Sequence, residues 1–165
     1  MSAPKFSILD TMDLWISTTR DELEKMIARV DILIVNDSEA KLLSDERNII
    51  KSGEKLAQMG AKSVIVKTGE YGAMLFHKEG FFVIPAFPVR ELHDPTGAGD
   101  SFAGALAGYL AGRNATDFES LKMAMIYGAA TASLTVESFS CYKLEQSGFA
   151  EVERRAEVIK KISQL

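Results

Sequence analysis

The chain alternates short apolar runs with polar segments of helical spacing. Lys5 to Asp10, "KFSILD", reads as a strand. Thr19-Arg20-Asp21-Glu22 opens a helix that carries Leu23, Met26, Ile27 and Val30 on one side. "VDILIVN", Val30 to Asn36, is almost continuously apolar, the pattern of a parallel strand buried on both faces. "DSEAKLL" starts a short helix that Asp37 or Ser38 can cap. Arg47 to Met59 forms the next helix and stops at Gly60, a residue suited to the position after a helix end. "KSVIVK", Lys62 to Lys67, is a second buried strand, and "GAMLFHKEGFFVIPA" is a hairpin turning at His77-Lys78-Glu79-Gly80. Helices follow at about Gly97–Ala111, Thr116–Val136 and Ser147–Ile162.

Strand–helix alternation of this kind predicts an α/β fold: a three-layer α/β/α, Rossmann-like arrangement with a mostly parallel sheet, helices on both faces and one β-hairpin. The 165 residues suffice for a single domain with its own core. In open α/β sheets ligands bind beyond the carboxyl ends of the strands. The candidate site therefore comprises Asp10-Thr11, Asn36 to Glu39, Thr68-Gly69 and the loop that enters the Gly97 helix.

Charge and composition narrow the partners. The net charge is −4 and there is no block of Lys and Arg, which argues against nucleic acid, since basic phosphate contacts dominate that affinity. One cysteine, Cys141, makes no internal disulfide, so a reducing compartment is expected. No apolar run approaches the ~20 residues that span a bilayer, so no membrane role is expected. The opening "MSAPKFSILD" lacks the basic and apolar regions of a signal peptide, and a cytoplasmic setting follows as an expectation. Met1 to Pro4 has the look of an appended remnant.

The chemistry concentrates in "LHDPTGAGDSFAGALAGYLAG", Leu92 to Gly112. Glycines 97 and 99 let backbone N–H groups turn toward one point, and the helix start adds unpaired N–H groups and about half a positive charge. Together Gly97, Ala98, Gly99 and Asp100 predict an anion hole for a phosphate, with the Thr96 hydroxyl beside it. Asp100 has two readings: an acid favoured by the helix dipole, or a base that takes a proton from a hydroxyl attacking a phosphoryl group. Position alone does not choose. Gly104, Gly108 and Gly112 recur every four residues, as do Ala103, Ala107 and Ala111, which predicts close packing of this face against the sheet. Other phosphate motifs fail: there is no G-x-x-x-x-G-K-[ST], and Phe102 stands where a third glycine of G-x-G-x-x-G would be. His77 at a hairpin tip and the isolated His93 form no metal site. Cys141 reads as a small buried hydrophobe, Leu14-Trp15-Ile16 as packing, and the charged helix "EVERRAEVIKKI" as a solvated outer face.

"DPTGAGDSFAGALA", Asp94 to Ala107, resembles the C-terminal signature of the ribokinase-like (PfkB-type) carbohydrate kinases. Asn36-x-x-Glu39 resembles that family's N-x-x-E element, and "VKTGEYGA", Val66 to Ala73, its T-x-G or K-x-G-x-x-G element. The resemblance runs from about Lys5 to Lys161. It implies an ATP- and Mg2+-dependent kinase of a sugar-like alcohol, with Asp100 as the base and residues 97–100 as the anion hole. Asn36 and Glu39 would organise Mg2+, mainly through waters. Thr68, Gly69, Gly72 and Thr96 would line the nucleotide, and Ala129, Ala132 and Ser133 its adenine side. Asp94 and the loop Glu137 to Cys141 lie where some members bind K+. The family's N-terminal half, with its β lid and most sugar contacts, falls outside this chain. The acceptor is therefore left open among sugars, nucleosides and vitamin precursors, and a non-catalytic nucleotide-binding module is the alternative. Homo-oligomers, through apolar sheet surface left uncovered, are a further expectation.

Overall fold

The computed structural model describes residues 5–163; Met1–Pro4, read above as a remnant, lie outside the described residues. The chain divides into two compact units, Met1–Thr68 with Met74–Phe82, and Gly69–Ala73 with Val83–Leu165.

The first unit holds β1 (Ile8–Asp10), α1 (Asp13–Thr18), α2 (Arg20–Ile27), β2 (Ile32–Asn36), α3 (Asp37–Ser44), α4 (Ile49–Ala57) and β3 (Ser63–Lys67). Strands β4 (Ala73–His77) and β5 (Gly80–Ile84) complete a five-stranded sheet in the order β1-β2-β3-β4-β5. β1, β2 and β3 are parallel, with Asp10 beside Ile34 and Asn36 beside Lys67. The short β3–β4 and β4–β5 connections leave room only for antiparallel pairing. β1 is shorter than the sequence pattern predicts, because Ser7 ties down the strand's approach instead: its N–H and Oγ both donate to Asp31 Oδ2, at 2.8 and 3.0 Å.

The apolar runs behave as their pattern requires. Leu33, Val35, Val64 and Val66 pack with Leu23, Ile27, Leu43, Leu56 and Phe76, while the alternate residues Ile32, Ile34 and Ile65 are buried as well. Both sides of these strands are thus removed from water. Ile16 joins the same cluster, but Leu14 and Trp15 are exposed, contrary to the packing expected of all three.

α3 corrects the expected cap. Neither Asp37 nor Ser38 caps it; Asn36 does, its Oδ1 accepting from the Glu39 N–H at 2.8 Å while Glu39 Oε2 accepts from the Asn36 N–H at 2.8 Å. This reciprocal capping box satisfies two backbone donors at once.

The second unit holds α5 (Ala98–Arg113), α6 (Phe118–Thr135) and α7 (Tyr142–Ser163), the last interrupted at Gly148. α5 buries Phe102, Leu106 and Leu110. The glycines are therefore not its packing face: Gly104, Gly108 and Gly112 are exposed, with open space where a Cβ would stand. Two faces of one helix share the four-residue spacing, and the larger side chains gain more by burial. Phe102 lies against Gly128 of α6, where an added Cβ would come within 2.9 Å of the ring. α7 departs from a fully solvated helix, since it buries Val152, Arg155, Ala156 and Ile159. Cys141 is exposed rather than buried. Among the described residues no helix is long and apolar enough to cross a membrane.

Candidate functional site

In the first unit the chemistry gathers where β1, β2 and β3 end. The register sets Asn36 of β2 beside Lys67 of β3, and Asp10 closes β1. Lys67 Nζ donates to Asp10 Oδ2 at 3.2 Å and to Oδ1 at 3.5 Å, and the two side chains are 19% and 31% exposed. Asp10 Oδ1 also accepts the Thr11 N–H at 3.0 Å. Asn36 Oδ1 accepts a second hydrogen bond, from Ser38 Oγ, at 2.8 Å. Glu39 is buried, and burial pushes its carboxyl above the usual carboxylate range; the Asn36 N–H and Lys67 act the other way, and Asp10 and Asp13 add to the rise. Thr68 follows Lys67, half-buried, at the strand's end.

In the second unit the signature loop delivers a helix start. Gly97 occupies the cap position of α5 with φ 80°, ψ −3°, a left-handed conformation that costs a side-chain-bearing residue ~1–2 kcal/mol. No side chain caps this helix. The Ala98 N–H donates to Pro95 O at 3.2 Å, so it is engaged within the turn. The N–H groups of Gly97, Gly99 and Asp100 have no acceptor among the described residues. Three of the four amides expected to form an anion hole are thus open, and Asp100 is exposed in the first turn beside them.

The end of α6 fixes this loop. Val136 O accepts from the N–H groups of His93 and Asp94, at 2.8 and 3.3 Å. Thr135 Oγ1 bonds Ser101 Oγ at 2.8 Å, joining the first turn of α5 to α6. Asp94 Oδ1 accepts the Thr96 N–H at 2.9 Å; this bond, with the Thr96 hydroxyl, holds the Asp94 carboxyl below the usual carboxylate range. Thr96 is therefore occupied by Asp94 in this arrangement.

The remaining predicted residues divide. Gly69 opens a 3-10 turn, Gly69–Tyr71, and is exposed. Gly72 has φ 103° and sits so close to the Ile84 and Pro85 backbone that a Cβ would overlap it. Ala129 and Ala132 are half-buried on α6. Ser133 is buried: its hydroxyl donates to Ala130 O at 2.6 Å and accepts from Arg155 Nη1 at 2.9 Å. Arg155, a residue missed in the sequence, also bonds Glu137 Oε2 at 2.7 Å and Glu151 Oε1 at 2.9 Å. Lys67, Asp10 and Thr11 form a cluster that sequence order hides, because 57 residues separate Lys67 from Asp10. The available signal is a lysine ending an otherwise apolar strand run.

The open helix start behind the T-G-A-G-D loop of the second unit presents backbone N–H groups able to meet an anion. Residues 5–147 match the family model of the pfkB family carbohydrate kinases, and the chain belongs to that family. It is 38% identical over 97 residues to cytidine kinase of Thermococcus kodakarensis, an alignment covering 57% of this chain and 34% of that protein. The fold superimposes on aminoimidazole riboside kinase from Salmonella enterica, solved with aminoimidazole riboside and an ATP analog. The TM-score is 0.81 at 24% identity, covering 92% of this chain and 52% of that one. An E. coli protein solved in complex with ATP and Mg2+ gives a TM-score of 0.70 at 29% identity, covering 88% and 45%. The fold is thus ribokinase-like, and the chain spans about half the length of its solved relatives and a third of that curated one.

Proposed function

We propose that this chain carries the ATP-handling part and the base of a kinase that phosphorylates a hydroxyl of a sugar or riboside. The observation that carries the reading is the α5 start: three open N–H groups behind Gly97, with Asp100 in the same turn. In this reading the acceptor O–H gives its proton to Asp100 as its oxygen bonds the γ-phosphorus, and the bond to the bridging oxygen breaks to release ADP. The open amides hold the charge on the transferring group. Family membership and the ATP- and Mg2+-bound relative support ATP and Mg2+ as co-substrate and cofactor.

The residues fit Mg2+ held through waters. Asn36 Oδ1 already accepts two hydrogen bonds and one Glu39 oxygen accepts the Asn36 N–H. Among the described residues no three His, Cys, Asp or Glu side chains converge on a metal. Asn36 and Glu39 would then orient metal-bound water, and Mg2+ would supply charge neutralisation on the phosphates. Asp94, a half-buried carboxylate that Thr96 holds below the usual carboxylate range, is the candidate for a monovalent cation. Thr68, Gly69 and Gly72 are assigned to the nucleotide, and Ala129 and Ala132 to the adenine side. Ser133 is assigned to the adenine side with them, and its hydroxyl also accepts from Arg155 of α7.

Two of the relatives are named for ribosides, so ribose, cytidine and other nucleosides head the acceptor panel. The test is phosphoryl transfer from Mg-ATP across that panel, with Asp100→Asn as the control. We expect Asp100→Asn to lower transfer by ~10²–10⁴-fold with nucleotide affinity retained, the range for loss of a positioned base. Transfer that is unchanged in Asp100→Asn removes the base and leaves a nucleotide-binding module.

A further inference from the structure

We propose that Arg155 is a positioning residue for the open start of α5: its guanidinium clasps the last turn of α6, and that turn carries the hydrogen bonds that set the signature loop on both sides of Gly97. The inference rests on the reading above that the α5 start meets a phosphate.

The last turn of α6 is weakly held by its own backbone. The Glu137 N–H reaches Leu134 O at 3.4 Å and the Ser138 N–H reaches Thr135 O at 3.5 Å, both long beside the ~2.9–3.0 Å usual for such bonds. Helix ends held in this way fray. Arg155 closes the turn from outside. Its Nη1 donates to Ser133 Oγ at 2.9 Å and its Nη2 to Glu137 Oε2 at 2.7 Å. Ser133 and Glu137 stand one turn apart on the same face, so the two contacts bracket the residues between them. Nε donates to Glu151 Oε1 at 2.9 Å, which fixes the guanidinium against its own helix. The Arg155 side chain is buried, and its rigid fork meets all three partners at once, a geometry that a single-ended ammonium does not reproduce.

Thr135 and Val136 lie inside the clasped turn, and both hold the signature loop. Val136 O accepts the His93 and Asp94 N–H groups at 2.8 and 3.3 Å, just before the T-G-A-G-D residues. Thr135 Oγ1 bonds Ser101 Oγ at 2.8 Å, just after them. The open N–H groups of Gly97, Gly99 and Asp100 are therefore strung between two anchors that share one helix turn. The Phe87 ring, on the segment that enters the loop, has its centroid 4.5 Å from the Arg155 guanidinium carbon, so the same side chain meets the loop's approach as well. No side chain caps α5, so its first amides depend on these anchors for their aim. Backbone donors stabilise an anion well only while their geometry is held to within about 0.5 Å. The clasp on α6 supplies that constraint from a residue that touches no ligand.

The test joins amide hydrogen exchange, read residue by residue by NMR, with equilibrium binding of Mg-ATP and of inorganic tripolyphosphate to the full chain, at a temperature well below each variant's Tm. Arg155→Met is expected to speed exchange of the His93 and Asp94 N–H groups about tenfold through local opening. The Asn114 N–H, bonded to Ala111 O at 3.2 Å at the far end of α5, is expected to stay within about twofold. A loss of overall stability alone does not separate these amides. Both ligands are expected to bind roughly three- to thirtyfold more weakly, the range for changes along a coupling network. Tripolyphosphate has no adenine, so its weakening reports the anion site and not Ser133 beside the base. Glu137→Gln keeps the side chain's shape and loosens one arm of the clasp. It is expected to shift the same amides and both affinities in the same direction, about threefold, and it decides the matter if Arg155→Met does not fold. Unchanged His93 and Asp94 exchange, equal acceleration at Asn114, or undiminished tripolyphosphate affinity overturns the positioning role. A wild-type chain that binds neither ligand overturns the phosphate reading of the α5 start, and the exchange rates then decide the clasp on their own.

Discussion

Gly97→Ala and Gly72→Ala form a matched pair that separates conformational strain from steric overlap. Both glycines have positive φ, 80° and 103°. At Gly97 the site is open: the nearest atom to an added Cβ is Thr135 Cγ2, 3.8 Å away, an ordinary contact. The penalty there is the left-handed backbone alone, ~1–2 kcal/mol. Alanine returns ~0.4–1 kcal/mol by restricting the unfolded chain. The net loss is about 1 kcal/mol, or ~2–4 °C in Tm for a chain of this size. At Gly72 the same strain is joined by overlap with Ile84 O and the Pro85 backbone, which cannot rotate aside as a side chain can. Overpacking adds ~1–3 kcal/mol, so the total is about 3 kcal/mol. Urea denaturation, with the m-value checked for constancy, reads both. Nucleotide affinity adds a second axis: Gly97→Ala turns the open amides of the α5 start, so it is expected to weaken ATP more than its small stability loss implies. Equal destabilisation by the two substitutions, or a neutral Gly72→Ala, refutes the reasoning.

Two more predictions concern the α6–α7 contact. Arg155→Met removes bonds to Glu137, Glu151 and Ser133 and the contact of the guanidinium with the Phe87 ring at 4.5 Å. Breaking a buried pair costs ~3–5 kcal/mol, but Glu137 and Glu151 are 21% and 27% exposed, so water recovers part of it and we expect about 2–3 kcal/mol by thermal or urea unfolding. A Glu137→Gln/Arg155→Met double variant should lose less than the sum. The pH dependence has a definite sign at Glu151, whose carboxyl is lowered from 4.5 to about 2 by hydrogen bonds from Arg154 first and Arg155 second. A carboxylate depressed in the folded state gives stability above its unfolded pKa and loses it as pH falls. The wild type's advantage over Glu151→Gln should therefore be full above about pH 5 and vanish between 4.5 and about 2, which unfolding curves across that range measure.

Much of the fold was legible because it rests on local pattern. The runs around Ile32–Asn36 and Ser63–Lys67 are apolar at nearly every position, which only a strand buried on both faces tolerates. The start of α5 was legible to within one residue, since few loops other than glycine-rich ones turn so sharply into a helix. The cap of α3 was misplaced by one or two positions. Asn36, Asp37 and Ser38 are all good caps, and only the strand's end decides which of them leaves the helical conformation first.

What the sequence by itself determined is the order of strands and helices, the hairpin and the T-G-A-G-D helix start, all features that neighbours within a few residues dictate. Tertiary structure decided the rest. It exposed the Gly104–Gly108–Gly112 face by burying Phe102, Leu106 and Leu110 instead, though both share one spacing. It drew Arg155 out of a charged helix into the interior, because Glu137 and Ser133 wait there on α6's end. It set Lys67 against Asp10 through two parallel strand registers, a contact no local pattern encodes. The physical reason is common to all three. Periodicity marks which residues share a face, but the free energy of burying that face depends on what arrives opposite it from elsewhere in the chain.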